Sequence, residues 1–342
     1  MEWFQYDELA GSLNDFMPSL GDSFLQIFKS LIAGEEVELF PLVINTVCSA
    51  FESNLQDFSG VFFLLVLLGI VTGLLKQISG VFKEKSMGEV TFYICYMCGV
   101  ILLLNLFFIV AETALTMIET MVRFTEILIP FFYLSVAVGR QIYTAVGFYQ
   151  LNLILLYAVE VIVPEIILPV ISCIAYLSVL SGLSGEDRFD GFIKMLQKGV
   201  NLLLKGGLTV VAGIGVMKKI LHGAVDGMNY TTFRKTIGAI PGVGDFTDSV
   251  SSVLVASAVL IKSGLGIAFL ILLIILLCAP MCKILVIAFA LQLISATIGM
   301  MEEKRFARCA EQISKACYLL LKACLVTAAV FLVVIALVAV TA

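Results

Sequence analysis

The chain has 342 residues, 61% of them hydrophobic and 14% charged, with a net charge of −5, and its mean hydropathy is +1.08. A typical soluble domain is roughly 25% charged, so this composition excludes a soluble globular protein. Two tracts fix the solvent: residues 127–183, with few charges, and the 37 residues of 264–300, which carry only Lys283. A run that long exceeds one globular helix and has the length of two bilayer crossings.

Backbone N–H and C=O groups find no water in hydrocarbon, so only helices and closed barrels span. Uninterrupted apolar runs lack the alternation of barrel strands. The expected fold is all-α: a polytopic helical membrane protein with about eight transmembrane or partly spanning helices, plus amphipathic interfacial helices.

In chain order, residues 1–58 hold ten acidic residues and one base, Lys29. Lys and Arg near span ends stay cytoplasmic, so this acidic stretch is expected on the other side. The start, Met1-Glu2-Trp3-Phe4, has no basic stretch ahead of an apolar one and does not resemble a cleavable signal. Asp22 or Ser23 can cap an amphipathic helix whose Phe24, Leu25, Phe28, Leu31 and Ile32 share one face, ending at Gly34.

Residues 59–183 form the expected first transmembrane bundle. A first crossing over 59–75 is followed by Lys76, Lys83 and Lys85, which place its end inside. Its Gly69 and Gly73 form a G-x-x-x-G pair that suits close helix packing, with a chance pair of small residues as the plain alternative. A second crossing over 90–111 leads into an external acidic stretch with Glu112, Glu119 and Glu126. Residues 127–139, interrupted by Pro130, are expected to form a tilted or discontinuous helix. Residues 142–163 cross again, Pro164 and Glu165 make an external turn, and 166–183 return inside.

Residues 184–262 are the expected cytoplasmic-side amphipathic or re-entrant segment and loop. Ser184 and Asp187 resemble a capping box ahead of a helix with Phe189, Phe192, Ile193, Leu196, Val200, Leu203 and Leu204 on its apolar side. Lys194, Lys198 and Lys205 stack on the opposing stripe, as in a helix lying in an anionic headgroup layer. Residues 199–217 are read as interfacial or re-entrant, because a full crossing would carry Lys218, Lys219, Arg234, Lys235 and Lys262 outside. The loop Pro241-Gly242-Val243-Gly244-Asp245 can take turn conformations closed to other residues, and is a candidate docking element or a simple turn. Residues 263–342 close the chain with a hairpin, 264–279 and 282–300 broken at Pro280, then a basic turn and a last span over 316–341.

Candidate chemistry is sparse. Gln150, Asn152 and Glu160 bring polar groups into one apolar span, where they either line a polar pathway or bond between helices. Cys95 and Cys98 have C-x-x-C spacing without a second pair, and the lone histidine is His222, so neither a zinc site nor ordinary acid–base catalysis is expected. No cofactor, no metal, no enzymatic activity and no nucleic-acid partner are expected; membrane lipid is, and a homo-oligomer is compatible with the sequence.

Several stretches resemble one family. They are Leu128-Ile129-Pro130, the span ending near Pro164, the lysine-striped amphipathic helix, Phe233-Arg234-Lys235-Thr236, Pro241-Gly242-Val243-Gly244, Asp248, and the run from Leu260 to Gly266. Over about residues 127–342 the chain resembles the stage III sporulation protein AE family. The resemblance implies a multi-pass subunit of a channel complex in the mother-cell membrane around the engulfed forespore. It implies partners among the other stage III channel proteins, including a secretion-type ATPase, and a role in forespore gene expression and integrity. It brings no catalytic residues. A stand-alone small-molecule transporter is the competing reading.

Overall fold

A computed structural model of the chain describes residues 39–79, 85–138, 142–184, 189–222, 264–299 and 304–341. These form helices α1 (Leu39–Ser79), α2 (Lys85–Val138), α3 (Ile142–Ile162), α4 (Leu168–Ser184), α5 (Asp190–His222), α6 (Gly264–Gly299) and α7 (Lys304–Thr341). A five-residue π-helical turn, Val163–Ile167, joins α3 to α4. Among the described residues, five stretches are long and apolar enough to cross a membrane: Phe51–Leu74, Tyr93–Ile127, Leu153–Gly182, Leu270–Gly299 and Arg305–Val334. The all-helical membrane fold expected from composition is therefore present. The amphipathic helix expected between Asp22 and Gly34 lies outside the described residues.

The prolines do not divide the helices as expected. α2 runs 54 residues straight through Pro130, and α6 runs 36 residues through Pro280. At Pro164 the chain makes a π turn rather than an external hairpin, with the Leu168 amide donating to the Val163 carbonyl. A proline removes one backbone donor and crowds the preceding turn. Widening one turn to π spacing absorbs that without reversing the chain. At 1.5 Å per residue, α6 is about 54 Å long and α2 about 81 Å, well beyond the roughly 30 Å of a hydrocarbon core.

α7 is the centre of the bundle and packs against α2, α3, α4, α5 and α6. The sequence explains why. Its inward positions are largely small, with Cys309, Ala310, Ala316, Cys317, Ala323 and Cys324 all buried, and small residues let helix backbones approach closely where lipid offers no hydrophobic drive between helices. Two serines fasten α6 to α7: Ser295 Oγ donates to the Ala307 carbonyl and Ser314 Oγ to the Ala288 carbonyl, each at 2.8 Å. These bonds set the two helices antiparallel.

α5 packs against α4 and α7. Its Asp190 carboxylate accepts from Ser181 Oγ at the end of α4, where Gly182 sits against Cys309 and the Arg305 carbonyl. Further along, Asn201 accepts from the Lys322 ammonium. α5 therefore climbs beside α7 in the same direction. Its Ile193, Val200, Leu204, Leu208 and Val211 are buried against α4 and α7, and residues 199–217 belong to one continuous helix.

Candidate functional site

A concavity of about 510 Å³ lies between α2 and α6. α2 supplies Glu112, Thr113, Thr116 and Thr120; α6 supplies Leu276, Pro280 and Lys283. Glu112, Thr116 and Thr120 recur every four residues, which stacks them on one face. Pro280 has no N–H, so the Leu276 carbonyl lacks its usual donor four residues on.

The threonines are partly committed: Thr113 Oγ1 donates to the Ile109 carbonyl and Thr120 Oγ1 to the Thr116 carbonyl, both at 2.7 Å. Such back-bonding satisfies hydroxyls within their own helix. The Lys283 ammonium stands over the Phe58 ring of α1, 5.9 Å from its centroid, a placement that favours a cation. The lining thus includes a carboxylate, an ammonium and threonine hydroxyls among apolar side chains.

Of the residues singled out in the sequence, Gln150 and Glu160 are exposed on α3, with Tyr157 67% exposed between them. Among the described residues they face away from the packed core. Asn152 lies on α3, its side chain outside the described set. Pro164 leaves the Glu160 carbonyl without its α-helical donor, and the adjacent π turn marks this segment as locally distorted. Lys194, Lys198 and Lys205 are exposed along α5. Gly69 lies against Ile298 of α6 and Gly73 is buried; Thr72 between them donates to the Gly69 carbonyl at 2.8 Å. Pro241, Gly242, Gly244 and Asp245 fall outside the described residues.

Sequence reasoning missed the α2–α6 cleft because it placed Glu112 in an external loop. The four-residue recurrence of Glu112, Thr116 and Thr120, and the lone charge Lys283 three residues past a proline, were the available signals.

A bundle of long apolar helices that carries a polar cleft between two of them defines a polytopic membrane protein. The stage III sporulation protein AE family model matches residues 23–342, and the chain belongs to that family. It is similar to the stage III sporulation protein AE of Bacillus subtilis (strain 168), at 28% identity over 253 residues, which cover 73% of this chain and 63% of that protein. The match therefore spans a little under two thirds of the relative's length. No solved structure matches.

Proposed function

We propose that this protein is a non-enzymatic, multi-span subunit of the channel or secretion apparatus between mother cell and forespore, acting as permease-like core or scaffold in the mother-cell membrane around the forespore. Its partners are the other stage III channel proteins, including a secretion-type ATPase. The proposal keeps the count of about eight transmembrane or partly spanning helices expected from the sequence for the whole chain.

The observation that supports this reading most is the exposed polar face of α3 in a chain of this family. Glu160 and Gln150 point outward, and polar groups in hydrocarbon are costly unless turned toward partners or water. A subunit interface satisfies them; a solitary chain in lipid does not. Replacing Gln150 and Glu160 together with leucine is expected to block sporulation after engulfment at normal protein level. Wild-type spore yield from that variant removes the shared-lining reading.

The α2–α6 cleft supports a second reading, a stand-alone small-molecule transporter, since transporters place sites beside proline-interrupted helices. Recovery of the protein with other channel proteins favours the subunit. Uptake of a substrate by the purified protein alone favours the transporter.

A further inference from the structure

The α2–α6 cleft holds two opposite charges that the described residues leave uncompensated. Glu112 lies inside the candidate span Tyr93–Ile127 and Lys283 inside Leu270–Gly299, and both line the cleft. Among the described residues neither forms an ion pair or a hydrogen bond, with the other or with a third side chain. The Lys283 ammonium stands over the Phe58 ring, which covers one side of a group that carries three N–H donors. An ionisable side chain inside a span is costly, and one that faces a cavity marks a solute or ion path.

Thr116 on α2 adds a hydroxyl. It stands one turn from Glu112 and makes no hydrogen bond among the described residues. Thr113 and Thr120 differ, since their hydrogens go to the Ile109 and Thr116 carbonyls. The rest of the lining is apolar and anchored: Met117 and Leu277 are core residues, 3% and 6% exposed, and Ile109 and Leu276 pack against the core. A preformed cleft of about 510 Å³ has the size of sites for small organic solutes.

The two charges decide the class of solute. A lone cation drawn to Glu112 is repelled by Lys283, a lone anion drawn to Lys283 is repelled by Glu112, and a neutral solute leaves both uncompensated. A solute with one charge of each sign satisfies both and adds no net charge within the membrane. We propose that the α2–α6 cleft binds a small zwitterionic solute of the amino-acid type. Its ammonium meets Glu112, its carboxylate meets Lys283 and the Thr116 hydroxyl, and its apolar side chain lies against Met117 and Leu277. This rests on reading the cleft as a solute site, and it holds whether the chain works alone or as a subunit.

The test uses the full chain in detergent micelles and three probes of one shape: leucine, leucinamide, which lacks the carboxylate, and 4-methylpentanoate, which lacks the ammonium. Binding is read by equilibrium dialysis and saturation-transfer NMR. Leucine is expected to bind at least about 10-fold more tightly than either analogue, the effect of one charge-assisted hydrogen bond. The variants should follow the charge removed. K283Q lowers leucine to the level of leucinamide without weakening leucinamide, E112Q lowers it to the level of 4-methylpentanoate, and K283R keeps most of the preference. T116V alters an exposed position and should weaken leucine and 4-methylpentanoate several-fold while sparing leucinamide. Equal binding of leucine and one analogue to the wild type overturns the zwitterion and leaves a solute site of that single charge. Failure of all three probes to bind at millimolar concentration overturns the zwitterion and the solute site together. A preference for leucine that survives K283Q and E112Q overturns the assignment to this cleft; if those variants do not fold, unchanged leucine binding by T116V does so.

Discussion

α7 and α1 are both long and apolar, yet 78% of the most apolar span of α7 is buried and only 29% of that of α1. The difference follows side-chain size and partner number more closely than hydropathy. α7 presents alanines, cysteines and Ser314 to five neighbouring helices, whereas α1 turns Phe63, Leu64 and Leu67 outward. In water such residues would be driven inside. In lipid the drive between helices is packing, so the closest-fitting helix takes the centre and bulky side chains face the solvent they resemble.

That contrast is broken most severely at Phe306. Its ring is fully buried and meets Tyr96 edge-on with centroids 6.0 Å apart. Phe306→Ala is expected to destabilise the bundle by about 3–5 kcal/mol in denaturant unfolding from micelles; a loss below about 1 kcal/mol would mean α7 is not packed as described.

Gly99 tests the same junction from α2. A side chain there runs into the Phe306 ring and Leu68, so Gly99→Leu should cost about 1–3 kcal/mol in the same assay. Gly60 has nothing within 4 Å of an added Cβ, and Gly60→Ala serves as its control.

Ser314→Ala removes a hydrogen bond to the Ala288 carbonyl at 2.8 Å and one to Gln292 Oε1 at 3.2 Å. Bonds of this kind between membrane helices contribute about 0.6 kcal/mol on average, a small shift that replicate unfolding curves resolve. At the other extreme, Phe63 is 71% exposed, and Phe63→Ala should fall within about 0.5 kcal/mol of wild type. A larger loss there would show that α1 has a partner covering its outer face.

The class of fold was legible because charge is scarce and apolar runs are long, two properties that no soluble helix bundle shares. Helix boundaries were less legible, and the misreadings share a cause. Pro130, Pro164 and Pro280 are reliable breakers where water competes for freed backbone groups. Inside a bundle, neighbouring helices and a π turn absorb the lost bond, so the helices continue. The lysine stripe of α5 was visible as a period, but not its packing alongside α7, which depends on Asp190 meeting Ser181 and Asn201 meeting Lys322 across distant sequence. The α2–α6 cleft was hidden for the same reason: Glu112 and Lys283 are 171 positions apart, and no local pattern joins them. The G-x-x-x-G pair named the right type of residue for close approach; which helix Gly69 meets required the tertiary structure.

The account rests on helices that pass through their prolines, and α6 gives the sharpest test. Single cysteines introduced near its two ends, at Gly264 and Gly299 in a background lacking the native cysteines, can be probed with a membrane-impermeant thiol reagent added to either side of sealed vesicles. A continuous α6 predicts that the two positions react from opposite sides. Reaction of both from the same side would mean that the chain turns back at Pro280, and would contradict the structure described for the centre of this protein.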